Sequence, residues 1–206
     1  MDEIVLSEIE LSAIGEVANI TLGNAATSLG ILVHGNVDIS VPELEVKNKG
    51  DIVKSHDQDS VITRVDYIKG VQGYSILFLK DDYAKMLTDL MMGSDGYGMF
   101  YEQDLSELHL SAVSEAMNQM MGSAATAMGI MLERVVDIST PTTAHMSAGE
   151  YVQYEFPNDD RFIQITFKVK FGENIETDMV QMYPYLLAKA IADLFLIKKQ
   201  EETGEE

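Results

Sequence analysis

No cysteine occurs in the 206 residues. Disulfides, thiolate metal sites and cysteine nucleophiles are excluded with it. Positive charge is also scarce: 14 Lys and Arg stand against 34 Asp and Glu, a formal net charge of -20. Nucleic acid and anionic membrane surfaces are bound through clustered positive charge, so no nucleic acid and no membrane insertion are expected. The four histidines, His34, His56, His109 and His145, are scattered without ligand spacing. HDQD at His56–Asp59 is the one stretch that resembles a metal motif, and it reads as a solvated loop. No apolar run approaches the ~20 residues that span a bilayer. The acidic opening MDEIVLSEIE lacks the basic n-region and apolar core of a signal peptide. There is no GxxxxGK(S/T) phosphate loop and no GxSxG elbow. The expectation is a soluble cytoplasmic protein with no metal or cofactor of its own.

What the chain does contain is itself, twice. SAIGEVANITLGNAATSLGI begins at Ser12, and SAVSEAMNQMMGSAATAMGI begins at Ser111. Ser12–Pro42 aligns without a gap on Ser111–Pro141, with 15 of 31 positions identical at a constant offset of 99 residues. Such an offset implies a duplicated half-domain whose copies pack about a pseudo-two-fold axis. Residues 1–98 form the first half and 99–198 the second, both within one domain, with 199–206 an acidic tail or the start of a linker.

Each half reads helix, strands, helix. Residues 6–33 are predicted helical, with a break at Gly23, and VDISVP is a strand ended by Pro42. Ser60–Gly70 and Val71–Lys80 alternate and are rich in β-branched and aromatic residues, so they form a hairpin. Asp81–Gly93 is a helix with an acidic first turn, and GSDGYG is the loop between halves. In the second half, a helix covers 104–132 and VDISTP is a strand ended by Pro141. EYVQYEF pairs as a strand with RFIQITFKVKF through the turn PNDD. ETDMVQMYP adds a further strand, and YPYLLAKAIADLFLIKK closes the chain as a helix. Strictly alternating β and α units are absent, so a doubly wound parallel sheet is not expected. The fold class is α/β in the broad, α+β sense: a mixed or antiparallel sheet, shared by both halves and packed by long helices.

The repeated helix carries a polar stripe. With Ser12 at zero and about 100° per residue, Glu16 lies near +40°, Asn19 near -20° and Gly23 near +20°. Leu11, Ile14, Val17, Ala18, Thr21, Leu22 and Ala25 form the opposite, buried face. Ser111, Glu115, Asn118 and Gly122 repeat the stripe. An amphipathic helix always has a polar face. This one lacks Lys and Arg, however, and keeps Glu and Asn where neighbouring core residues changed. Asn is also a mediocre helix former. Glu and Asn at i, i+3 project into the same space. The carboxylate can pair with a partner's lysine. The amide, both donor and acceptor, can orient a water molecule. Such a pair suits hydrolysis at phosphorus, where positioning and charge neutralisation dominate. Gly23 and Gly122 read as sites of close helix approach, and the methionines of the second copy as core.

Ser, three residues, Glu, two residues, Asn, twenty-two residues, Pro is a spacing met twice, as Ser12–Glu16–Asn19–Pro42 and Ser111–Glu115–Asn118–Pro141. It resembles the signature of the CheC family of phosphatases, over essentially the whole chain. Within that family the chain is most similar to the CheC-like domain of the FliY group of flagellar motor-switch proteins, with free-standing CheC close behind. The resemblance implies a CheC-like fold and hydrolysis of the aspartyl phosphate of phosphorylated CheY at the flagellar switch. Glu16 and Glu115 would contact the regulator's lysine. Asn19 and Asn118 would orient the attacking water, with Ser12, Ser111, Pro42 and Pro141 supporting the motif. Mg2+ would sit in the CheY partner's site. FliY-type membership further implies FliM, FliG and FliN-like switch proteins as partners. It also implies a peripheral location at the basal-body switch ring, with KKQEETGEE leading toward a further domain. A CheY-binding N-terminal peptide is not expected from MDEIVLSEIE. The other reading is a non-catalytic CheY-docking or structural module of the switch. Catalysis requires the four Glu and Asn side chains to be exposed; burial would favour the structural role.

Overall fold

The computed structural model describes residues 5–204. The elements in chain order are α1 (Glu8–Leu32), β1 (Val37–Ile39), β2 (Glu43–Asn48), α2 (Lys49–Ser55), β3 (Asp59–Lys69), β4 (Gly73–Lys80), α3 (Asp81–Met91) and α4 (Met99–Glu102). The second half follows with α5 (Glu107–Met131), β5 (Asp137–Ile138), β6 (Thr142–Ser147), α6 (Ala148–Glu155), β7 (Arg161–Phe171), β8 (Ile175–Pro184) and α7 (Tyr185–Thr203).

All eight strands form one sheet, and every pairing is antiparallel. The hairpins β3–β4 and β7–β8 meet through β4 and β8, with Leu77 opposite Gln181. The short strands are exchanged between the copies. β1 and β2 of the first half pair with β7 of the second, and β5 and β6 of the second pair with β3 of the first. Neither half could close its own sheet without the other.

The period-2 alternation of the central strands sorts their side chains onto two faces. Val61, Val65, Leu77, Leu79, Ile163 and Ile165 join the main core beneath α1, α3, α5 and α7. Ile62, Ile76, Phe78, Phe162 and Met182 face the other way, into a smaller core capped by α2 and α6. The result is three layers.

Three expectations are corrected. α1 runs unbroken through Gly23 for 25 residues; a single glycine costs only ~1 kcal/mol in a helix, and packing along α5 and α7 outweighs that. The segment read as the strand EYVQYEF is the helix α6. Its Ser147 cap accepts from the Glu150 amide at 3.2 Å, and Gly149 lets it approach α2 so closely that a Cβ would meet the Val53 carbonyl at 2.8 Å. The charged stretch from residue 199 is not a tail as far as Thr203: α7 continues to that residue and ends at Gly204, φ +66°, in a left-handed C-cap. Residues 1–4 of the acidic opening and 205–206 of the terminal run lie outside the described residues.

α1 and α5 end alike. His34 and Glu133, 99 residues apart, both take positive φ. Gly35 N–H bonds the Gly30 carbonyl at 3.1 Å, and Arg134 N–H bonds that of Gly129 at 2.9 Å. This six-to-one closure satisfies the last carbonyls and aims each chain into its first strand. The two helices begin differently. Glu10, at the third position of α1, accepts from the Ser7 amide at 2.7 Å. Its counterpart His109 is buried and accepts at Nδ1 from the Ser106 amide at 3.1 Å. His109 Nε2–H is left to donate to the Phe100 carbonyl at 2.7 Å.

Candidate functional site

The buried face of α1 carries Ile14, Val17, Ala18, Leu22 and Leu29 into the main core, and α5 does the same with Val113, Ala116, Met117, Met120 and Met128. Anchored this way, each helix turns its polar stripe outward. Ser12, Glu16 and Asn19 are exposed; Ser111 and Glu115 are exposed and Asn118 is half-buried. Among the described residues neither Asn19 nor Asn118 spends its side-chain amide on an intramolecular hydrogen bond. Both amides are therefore available to water or a partner. Pro42 and Pro141 are buried, each just before a strand of the exchanged pair.

Gly23 and Gly122 are corrected here. A Cβ on either would meet nothing within 4 Å, so close helix approach does not explain them. They leave bare surface one turn beyond each asparagine. Close approach is instead the reason for Gly30 and Gly129, whose Cβ atoms would meet the carbonyls of Gly35 at 2.9 Å and Arg134 at 2.6 Å.

The two copies differ in what holds the glutamate. Glu16 accepts from Lys199 Nζ of α7 at 2.7 Å. These two side chains, with Ser12 and Phe195, border a cleft of about 300 Å³. Glu115 accepts instead from Gln119 Nε2 at 2.9 Å, on its own helix. The second copy opens onto a larger cleft of about 680 Å³, with Asn118 and Gly122 in its wall. Gln119 is legible from its i+4 spacing to Glu115. Lys199 is not: it reaches Glu16 across 183 positions, and only tertiary packing brings them together.

A second cation fastens α7 to α1. Lys189 Nζ donates to Glu10 at 2.5 Å and to Asp193 at 3.0 Å. Lys189, then the amide and hydroxyl of Ser7, lower the Glu10 pKa from 4.5 to about 2. A depressed carboxyl stabilises the fold above its unfolded value and loses that contribution as pH falls toward the folded one. The melting-temperature gap between the native chain and Glu10→Gln is therefore expected to be constant above about pH 6. It should shrink as pH falls from 4.5 and vanish near pH 2. Thermal melts of both proteins across that range check it.

Among the described residues there is no cluster of three His, Asp or Glu that could hold a metal, and no helix long and apolar enough to cross a membrane. At HDQD, His56 Nδ1 lies 2.8 Å from Ser55 Oγ.

Two segments, residues 9–46 and 108–145, match the model of the CheC-like family. These are the two copies of the repeat. The chain is 38% identical over 202 residues to the flagellar motor switch phosphatase FliY of Bacillus subtilis (strain 168), covering 98% of this chain and 52% of that protein. It thus spans about half the length of that curated relative. The crystal structure of Thermotoga maritima FliY superposes with a TM-score of 0.82 at 29% identity, over 95% of this chain and 100% of that one. The FliM middle domain of H. pylori superposes at 0.70 with 16% identity, over 92% and 99%; that likeness is one of fold.

Proposed function

We infer that this chain, which belongs to the CheC-like family, is a phosphatase that removes the aspartyl phosphate of a phosphorylated CheY-class response regulator. The observation that carries the reading is the Glu–Asn pair presented twice, outward, with both amides uncommitted. In each site the glutamate accepts from the regulator's active-site lysine and fixes the docked pose. The asparagine holds water by its carbonyl and N–H groups in line with the P–O bond to the aspartate. The water oxygen bonds phosphorus as that P–O bond breaks. Inorganic phosphate leaves, the electron pair of the broken bond restores the regulator's aspartate as a carboxylate, and the water's protons pass to the phosphate and solvent. The regulator's own Mg2+ would supply charge neutralisation on the phosphoryl oxygens. This chain supplies position only, which is what a loose phosphoryl-transfer transition state rewards.

Lys199 sits where the regulator's lysine has to arrive. The first site therefore works only when α7 releases Glu16, while Gln119 offers Glu115 a weaker, uncharged partner. An exposed ion pair of this kind is worth little, so the handicap is bounded at about fivefold. In an Asn118→Ala background, Lys199→Ala is expected to raise turnover at low substrate by about two- to fivefold. An unchanged rate would show that Lys199 does not compete.

The relative of 38% identity is named for the flagellar motor switch, and this favours one second reading: a non-catalytic CheY-docking or structural module of the flagellar switch, contacting FliM- and FliG-type proteins. Phosphate release from phosphorylated CheY, timed with and without the chain, separates the two. Acceleration supports the phosphatase; binding without acceleration supports the docking module.

A further inference from the structure

Identical positions in the two copies sort into those that packing explains and those it does not. Ala13, Ala25, Ala26 and Pro42 are buried with their counterparts Ala112, Ala124, Ala125 and Pro141. Gly30 and Gly129 are required by the carbonyls of Gly35 and Arg134. Three further pairs are exposed and belong to neither the core nor the Glu–Asn motif: Thr27 with Thr126, Ile31 with Ile130, and Asp38 with Asp137. The isoleucines are the unexpected members. Ile31 is 73% exposed and Ile130 74%, although α1 and α5 have diverged at half of the aligned positions.

Their placement is regular. Asn19, Gly23, Thr27 and Ile31 follow one another at four-residue spacing, as do Asn118, Gly122, Thr126 and Ile130. An i+4 series forms a single ridge along a helix. The ridge extends roughly 18 Å from the asparagine to the isoleucine at ~1.5 Å per residue. The threonine hydroxyls turn back to their own helix, Thr126 Oγ1 to the Gly122 carbonyl at 3.0 Å. At its far end each ridge borders a cleft against the following strand. Thr27, Ile31 and Asp38 border one of about 570 Å³. Thr126, Ile130 and Asp137 border the cleft of about 680 Å³ that also contains Asn118. The second cleft is thus continuous from the asparagine to the isoleucine.

We propose that Ile31 and Ile130, with Asp38 and Asp137 beside them, are the docking anchors that seat the phosphorylated regulator over each Glu–Asn pair. The proposal rests on the phosphatase reading and deepens it. A contact 18 Å from the reacting group, by the helix rise of about 1.5 Å per residue, is out of reach of a small phosphoester and suits a protein substrate. The regulator is expected to present an apolar side chain to the isoleucine and a Lys or Arg to the aspartate. Gly23 and Gly122 keep the ridge low between anchor and asparagine. The ridge sets affinity and pose, and the Glu–Asn pair sets the rate of the step.

The test isolates one site at a time. In the Asn19→Ala background only the second site turns over. There, Ile130→Ser is expected to raise KM for the phosphorylated regulator about tenfold or more, as for an anchor buried at an interface, with kcat kept within about twofold. Ile31→Ser in the same background should weaken binding at the silent first site and leave KM at the second unaltered, and the Asn118→Ala background should reverse the two roles. Binding of the beryllofluoride-activated regulator, measured by calorimetry, provides a readout independent of hydrolysis. Weakened binding on Ile31→Ser plus Ile130→Ser supports the docking role even if the native chain proves hydrolytically inert, which would fail the phosphatase reading alone. Unchanged KM and unchanged binding overturn the proposal. A native dimer that the isoleucine variants dissociate, seen by sedimentation with regulator binding intact, also overturns it, in favour of a second copy as the occupant.

Discussion

Asn19→Ala combined with Asn118→Ala is expected to lower the rate at which the chain strips phosphate from its regulator by about 10²-fold or more, the scale set by removal of a single preorganised polar group from a reacting centre. Both side chains project from long, well-anchored helices and make no hydrogen bond of their own among the described residues. Truncation therefore leaves no orphaned partner, and surface changes of this kind cost little stability. Binding of the activated regulator should persist, because Glu16, Glu115 and the ridge isoleucines are untouched. The single changes are not equivalent. Asn118 stands in an open cleft beside a glutamate held only by Gln119, whereas Glu16 is occupied by Lys199. Asn118→Ala is expected to remove more than half of the total turnover, and Asn19→Ala less than half. Asn→Asp in place of Ala keeps an acceptor but loses the N–H donors and adds a like charge near phosphate, so it should be no better than alanine. A double variant that retains native turnover would sink the water-positioning role.

The parts of this picture legible in the sequence were those written in periodicity or in duplication. α1 and α5 show both, since a buried face and a polar stripe repeat at an offset of 99 residues. The hairpin β3–β4 and the separate strands β7 and β8 announced themselves by alternation, although the strands carry cores on both faces; the hairpin partner of β7 did not, because the sequence pairs it with the segment that is α6 and the structure pairs it with β8. What stayed illegible depends on contacts remote in sequence. β2 pairs with β7 across more than a hundred residues, Glu45 opposite Gln164, and no local signal specifies that exchange. α6 is too short to show a helical period, and its Tyr and Val, with Phe156 just beyond it, favour a strand; a serine cap and docking against α2 override them. Gly23 and Gly122 look like packing glycines in a pattern rich in alanine. Only the empty space above them shows that they keep a surface clear. Lys199 is an ordinary residue of a charged run until α7 brings it to Glu16.

The largest effect on stability is expected not at either site but at the joint between the copies. Asp89, on α3, is fully buried. Its carboxylate accepts three backbone N–H groups of the connecting segment: Gly96 at 3.0 Å, Gly98 at 2.9 Å and Phe100 at 3.1 Å. Gly96 takes φ +96° to fold the segment around it, a conformation that side chains resist. A carboxylate with several charge-assisted bonds offsets its own desolvation. Asp89→Ala removes the acceptor and leaves three donors facing a cavity, at about 1–3 kcal/mol for each that water cannot reach. A loss of about 3 kcal/mol or more follows, or some 6–12 °C in melting temperature for a chain of this size. Asp89→Asn separates charge from shape: its amide retains one acceptor oxygen but places an NH2 against a donor, so it should recover only part of the loss. The segment hands its order on to α5, because the Phe100 carbonyl receives His109 Nε2 at 2.7 Å in the first turn of the helix that carries Glu115 and Asn118. Asp89→Ala should therefore loosen the second site before the first. At temperatures where the variant is still folded, the fraction of turnover lost on Asn118→Ala should fall below its native share. Equal loss at both sites would mean that the joint stabilises the domain without positioning α5.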